Sequence, residues 1–412
     1  MRLNKNMVLD FNKIVYYSLI VFALVLPLSK AAISFFIFWF VILIIFKRDY
    51  RNSLYIIKSN KIFIYISIFL LYIFISCLFI DINENTLSLL GKYCYWLLVP
   101  ILVVLIEKQW IHKIIGSFLV GMFISEIISY GIFFEFWSLK GSSPTAPAPF
   151  MNTIRYSVFL AFTSLILLYK ILFEDDSIRT KFFLFLFFLI TMINLMISTG
   201  RTGQLAFFFT LFIIFIMRYK ISIKSFFLST FFFIFIAFSS YFGIDQFKIR
   251  VDHAISDVNK AIDKNDFYSS WGLRASFWII TYDAIKNKPL FGYGVGNHTL
   301  ATNELLNANE YGYFSKDVRE FLDGSHFHNQ YLMILVANGF IGLLIFLLMC
   351  YKIYKLEIED KTIKHYSVIG ITVFMIAFIA EPHLDFKFTL MLFLFIISFS
   401  IAGAKKKIKE LK

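Results

Sequence analysis

The chain has 412 residues, 59% of them hydrophobic, 20% aromatic and 16% charged. Soluble globular chains run at about 45–50% apolar and about 25% charged, so this composition excludes a soluble domain and predicts an all-α polytopic membrane protein. The net charge of +13 raises nucleic acid as a partner, but in a membrane chain basic residues first serve orientation, and nucleic acid is set aside on that ground.

From the N-terminus, "MRLNKNMVLDFNK" has no cleavable leader pattern with a small-residue processing site, so the first apolar run is expected to stay in the membrane. A membrane-crossing helix takes about 20 apolar residues. Candidate runs fall at 12–28, 30–46, 62–80, 88–106, 114–134, 153–172, 182–199, 203–217, 225–243, 329–351, 366–380 and 388–403. The first two are parted by "PLSK", where Pro27 favours a break. This layout predicts about twelve transmembrane helices. Cys77, Cys94 and Cys350 lie inside apolar runs, so neither a disulfide framework nor a thiolate metal site is indicated.

Basic residues orient the chain. With a cytoplasmic N-terminus, more than half of the Lys and Arg fall on inside connections, among them Arg2, Lys13, Lys47, Arg48, Lys61, Lys113, Lys181, Arg218, Lys352 and the lysines after Gly403. The short outside connections hold few, including Lys30, Lys140, Arg155, Arg201 and Lys387. Both termini are therefore expected in the cytoplasm. The division is 1–243 for transmembrane helices 1–9, 244–328 for one large outer, periplasmic loop or cap between spans nine and ten, and 329–412 for helices 10–12 and a basic cytoplasmic tail.

Charges at membrane depth are costly and mark function by default. Arg201, in "ISTGRTGQLAFFF", opens a span from outside beside Gly200 and Gly203 and three hydroxyls. A positive helix end with a guanidinium predicts an anion site for phosphate; the competing reading is an arginine snorkelling to the interface. Arg155, in "PFMNTIRYSVFLAF", enters a span in the same way, and Arg274 lies in the outer loop among aromatics. "GYGVGNH", with Gly292, Gly294 and Gly296, lacks the lysine and Ser/Thr of a phosphate loop, and reads as a turn that brings backbone close to the membrane surface.

"DGSHFHNQYLMILVANGFIG" places His326 and His328 directly before the tenth span, with Asn329 next. A histidine at a helix N-terminus tends to the neutral imidazole that can accept a proton, which predicts a general base; a structural interfacial histidine is the alternative. His326, His383 and His298 offer metal-ligand atoms, but no two share an i, i+4 face, so no metal is expected. Glu126, inside the fifth span, is the best residue for a transport reading.

Taken together, "STGRTG" at a span start, "RASFWIITYDAIKNKPLFGYGVGNH" in a large outer loop and "HNQYLMILVANGFIGLLIFLL" at the next span resemble the bacterial O-antigen ligase and polymerase superfamily over roughly Met196 to Leu348. The resemblance implies an inverting glycosyltransferase of the inner membrane that works without metal or nucleotide cofactor. It would take a glycan from undecaprenyl diphosphate to lipid A-core on the periplasmic face. The resemblance gives the catalytic role to His328 and the donor diphosphate to Arg201, Arg274 and Arg155, with Asn329 and the three glycines supporting. A single long outer loop favours a ligase over a repeat-unit polymerase. A transporter of lipid-linked glycan is the reading from a different class.

Overall fold

The computed structural model describes residues 5–47, 49–264, 267–308 and 311–404. Arg2, Arg48 and the lysines after Gly403, which entered the orientation reading, lie outside these residues. All twelve apolar runs are helical, and among the described residues there is no strand.

Helix α1 (Lys5–Val25) breaks before Pro27, and α2 (Lys30–Phe46) restarts from Ser29, whose hydroxyl accepts from the Ala32 amide at 3.1 Å. The short α3 (Tyr50–Ser59) precedes α4 (Ile62–Ser76), α5 (Glu84–Cys94), α6 (Leu98–Leu105) and α7 (Ile111–Phe133). Next come α8 (Thr153–Phe173), α9 (Ile178–Ile197), α10 (Arg201–Tyr219) and α11 (Ile223–Gly243). Four helices fill the outer-loop segment: α12 (Asp245–Lys264), α13 (Ser270–Asn287), α14 (His298–Ala308) and α15 (Lys316–Gly324). The chain closes with α16 (Gln330–Tyr354), α17 (Lys361–Ala377) and α18 (Lys387–Gly403).

Among the described residues, eight stretches are long and apolar enough to cross a membrane, or nine if α2 and α3 are taken as one bent span. The other predicted spans are helical, but α2, α17 and α18 have only 17 residues each. In α18 every residue from Phe388 to Gly403 is buried. It lies against α17, α6 and α8, at the centre of the bundle rather than against lipid. Helix α11 is the opposite case. Its buried residues are Ser225, Ser229, Ile236 and Ser240 on one stripe, while Phe226, Phe227, Phe231, Phe235 and Phe242 point outward. Small polar residues face protein and large apolar ones face outward, as in helices packed within a bilayer.

The segment between α11 and α16 has its own core, in which Phe277, Ile280, Leu305, Phe314, Val318, Leu322 and Phe327 are buried together with Met333 and Val336 of α16. It is thereby seated on the N-terminal turns of α16. That helix is interrupted at Gly339 (φ 64°). The glycine-rich turn fills the break: the Tyr293 amide donates to the Val336 carbonyl at 2.8 Å and the Gly294 amide to the Ala337 carbonyl at 2.7 Å. A Cβ on Gly292 would meet the Val336 oxygen at 2.5 Å, and one on Gly296 the Thr86 amide nitrogen at 2.4 Å. The turn packs closely on α16 and α5, where the Val336 and Ala337 carbonyls accept from its amides and the Thr86 hydroxyl donates to the Val295 carbonyl at 2.9 Å.

Candidate functional site

The site begins with how α16 starts. Asn329 caps it, its side chain accepting from the Tyr331 amide at 2.9 Å and the Leu332 amide at 3.1 Å. His328, one residue earlier, has φ 46°, a left-handed conformation that costs a non-glycine residue on the order of 1–3 kcal/mol. Around this bend Phe327 is buried in the core of the outer segment, whereas His326 and His328 turn their rings to the same acid.

That acid is Glu381, in the turn between α17 and α18. Its Oε2 lies 2.9 Å from Nδ1 of His328, and its Oε1 lies 3.0 Å from Nε2 of His326. The carboxylate is 4% exposed. Burial alone would raise its pKa; the hydrogen bonds and positive charge of His326 and His328 outweigh burial and hold it well below the usual carboxylate range. An ionised carboxylate can only accept, so the proton of neutral His328 sits on Nδ1 and its Nε2 carries the lone pair. The turn is fixed by Gln330, whose amide donates to the Phe378 carbonyl at 2.8 Å and whose side-chain oxygen accepts from the Leu384 amide at 2.9 Å. The N-terminus of α16 and the turn holding Glu381 are therefore stapled together.

Two arginines share the electrostatic surroundings of Glu381, namely Arg155 from α8 and Arg274 from α13. The Arg155 guanidinium lies over the Phe386 ring, 3.6 Å from its centroid. Arg274 and Phe277 are one turn apart on α13, and Phe277 packs near the His328 ring, with centroids 6.1 Å apart. Burial lowers the Arg274 pKa, opposed by Glu381 and Asp257. Arg274 in turn acts on Arg201, which also senses Arg250 of α12. Of the predicted residues His328 alone is hydrogen-bonded to Glu381, while Arg155 and Arg274 feel its charge and Arg201 feels that of Arg274.

The setting of Arg201 revises one part of its reading. A Cβ on Gly203 would meet the Ser157 carbonyl oxygen at 2.1 Å, and one on Gly200 the Ser157 hydroxyl oxygen at 2.4 Å. The Gly203 amide already donates to the Ser157 hydroxyl at 3.0 Å. These glycines serve the close approach of α8 and α10, and the Gly203 amide is not free to meet an anion.

His326, His328 and Glu381 have ligand atoms within 4.8 Å of one another, close enough to hold a metal ion. The site was not expected, because Glu381 comes from a distant turn. Arg155 and Arg274, which feel the charge of the same carboxylate, add positive charge that opposes a divalent cation there. His298 and His383 lie close by, but their ring nitrogens are not part of this cluster: burial drives His298 down to about 4, with His326 and Lys92 adding to the shift. Glu126 is buried and accepts from the Thr191 hydroxyl at 3.0 Å, a contact between helices α7 and α9. Sequence reading missed Glu381, Gln330 and Arg250; the visible signal for the first was an acid next to Pro382 between two apolar helices.

A family model described as O-antigen ligase matches residues 185–347, from α9 into α16, and so takes in Arg201, Arg250, Arg274, His326 and His328. An uncharacterized protein of Haemophilus influenzae is 27% identical over 135 residues, which is 32% of this chain and 32% of that protein. The chain thus aligns with about a third of the length of that curated relative. The multiple apolar helices mark an integral membrane protein, and its residues 185–347 are similar to the O-antigen ligase family.

Proposed function

We propose that the protein is an O-antigen ligase of the bacterial inner membrane, moving a glycan from undecaprenyl diphosphate to a hydroxyl of lipid A-core on the periplasmic face. The observation that carries this reading is the carboxylate shared by His326 and His328, with Arg155 and Arg274 around it and Arg201 beyond. A base whose tautomer is fixed stands beside cations suited to a departing diphosphate.

His328 Nε2 takes the proton of the acceptor hydroxyl as its oxygen bonds to the anomeric carbon. The bond from that carbon to the diphosphate oxygen breaks, and its electron pair leaves with the polyprenyl diphosphate. Attack opposite the leaving group inverts configuration. Glu381 steadies the imidazolium that forms, while the arginines meet the charge that develops on the diphosphate. The outward-facing placement of 244–328 and the cytoplasmic termini belong to the same proposal, supported by the distribution of basic residues.

The test is reconstitution in proteoliposomes with labelled undecaprenyl-diphosphate glycan and lipid A-core. A ligase moves label to lipid A-core and releases one polyprenyl diphosphate per transfer. Label that lengthens on the donor lipid makes the protein a polymerase instead, and label that crosses the bilayer with no new bond makes it a transporter.

A further inference from the structure

Helix α2 carries the chain from one face of the bundle to the other. Near its start the Ser34 hydroxyl accepts from Nζ of Lys387, which follows the turn that holds Glu381. At its end Lys47 Nζ donates to the Val104 carbonyl, 2.8 Å away in the last turn of α6. Its 17 residues rise about 25 Å, most of the hydrocarbon thickness of a bilayer. Helix α3 therefore begins at the face opposite the histidine site, and it is bent from α2 by 115°. With 10 residues it is too short to cross a membrane, and it runs across the bundle rather than along it.

No residue of α3 is buried, although Ile56 and Ile57 rest against the core of the bundle. Tyr50 and Leu54, one turn apart, are 56% and 53% exposed. Arg51 and Lys58, two turns apart on the adjoining strip, are exposed as well, and among the described residues neither forms a salt bridge. The Tyr50 hydroxyl donates back to the Ile45 carbonyl at 2.9 Å, which joins this strip to the end of α2. Both flanking helices turn large apolar side chains outward, Ile45 and Phe46 on α2 and Ile64 and Ile68 on α4. The apolar strip of α3 thus continues a lipid-facing surface and lies at the edge of the hydrocarbon, where a tyrosine and snorkelling basic chains are most stable. Charge points to the same occupant. From Lys47 to Lys61 the sequence holds five basic residues and one acid, Asp49, whose carboxylate caps α3 by accepting from the Asn52 amide at 3.4 Å. A soluble protein could meet the polar edge at Asn52 and Ser59, but it would leave the apolar strip uncovered.

We infer that α3 lies in the bilayer surface and binds anionic phospholipid, with Arg51 and Lys58 on the headgroup phosphates and Tyr50 and Leu54 among the first acyl carbons. Each basic side chain at such a surface favours an anionic lipid over a zwitterionic one by about fivefold. The histidine site at the other face has no part in this, so the inference stands or falls independently of the ligase reading.

The experiment is photo-crosslinking of the full chain in phosphatidylcholine nanodiscs. A trace of phosphatidylglycerol or of phosphatidylcholine carries the same acyl-chain diazirine, and adducts are located by peptide mass spectrometry. After normalisation to adducts on the lipid-facing middle of α11, the peptide covering α3 should take the phosphatidylglycerol probe about tenfold more than the phosphatidylcholine probe. Arg51→Gln combined with Lys58→Gln should bring that ratio to within about twofold of one. Both side chains are exposed, so the double variant should keep the melting temperature of the wild type. Equal uptake of the two probes on α3, or a preference that survives the double substitution, overturns the anionic-lipid site. An α3 peptide free of adducts with both probes overturns its place in the bilayer surface and turns the search to a soluble partner.

Discussion

Two charged regions of this molecule solve the same electrostatic problem in opposite ways. At the start of α16, two histidines surround a buried acid, and both oxygens of that acid are hydrogen-bonded. At the start of α10, Arg201 senses Arg250 of α12, and neither forms a salt bridge among the described residues. The first region carries its own counter-charge and is preorganised. The second has positive charge left over, as the proposed diphosphate site would require. A base needs a fixed tautomer whether or not substrate is bound, whereas a diphosphate site gains most when its cations are unsatisfied beforehand. Arg274 links the two regions, since it senses both Glu381 and Arg201.

Mutations that remove one region and spare the other break this contrast most cleanly. His328→Ala should lower glycan transfer by about 10²- to 10⁴-fold, the usual worth of a positioned base, with unchanged equilibrium binding of the lipid-linked donor. Loss of donor binding would mean that the histidine serves structure. Glu381→Gln should lower the plateau rate by about 10²-fold, because an amide can turn its NH₂ toward Nδ1 and stabilise the wrong tautomer. A rate within twofold of wild type would remove the carboxylate from the mechanism.

On the arginine side, Arg201→Lys keeps the charge but loses the fork that grips two phosphate oxygens, so KM for the donor should rise about tenfold with kcat changed less. An unchanged KM would return Arg201 to the snorkelling reading. Gln330→Leu tests the staple between α16 and the turn of Glu381. It should cost about 1–3 kcal/mol of stability from the unsatisfied Leu384 amide and lower kcat, with donor binding near normal. Differential scanning in detergent and single-turnover rates separate the two effects.

The smallest expected effect is on stability against pH. His298 is held neutral by burial, with a pKa of about 4 against an ordinary 6.5. Its folded pKa is below its unfolded one, so the unfolded chain binds the proton first as pH falls. Stability from this group is complete above about 6.5 and declines toward pH 4, by up to about 1.4 kcal/mol per pH unit within that window. His298→Asn should flatten this part of the melting-temperature profile. An unaltered slope would assign the acid sensitivity to other groups.

The comparison also marks what the sequence could disclose. Helix positions were legible because each apolar run is continuous; Arg201 and His328 stood out as polar groups at run ends, whereas Arg274, inside the outer loop, was singled out only through the family resemblance. The number of spans was less legible. A helix such as α18, buried on every side by protein, has the same apolar composition as one that faces lipid. Glu381 was hidden by distance along the chain, since nothing local ties "AEPHLDFK" to "SHFHNQY" until Gln330 joins them. Arg250 was hidden by company, as one of many charges on a polar helix. Gly200 and Gly203 misled in the other direction: glycine next to an arginine suits a phosphate turn and a tight helix crossing equally, and only the contact with Ser157 separates them.

The most direct measurement is the single-turnover rate of glycan transfer by reconstituted wild-type protein, Glu381→Gln and Glu381→Asp, side by side. A carboxylate on Nδ1 holds the tautomer whose Nε2 can take a proton, so the amide variant should be slower by about 10²-fold, while the shorter acid keeps more of the rate. Equal rates for wild type and Glu381→Gln would contradict a base held by Glu381.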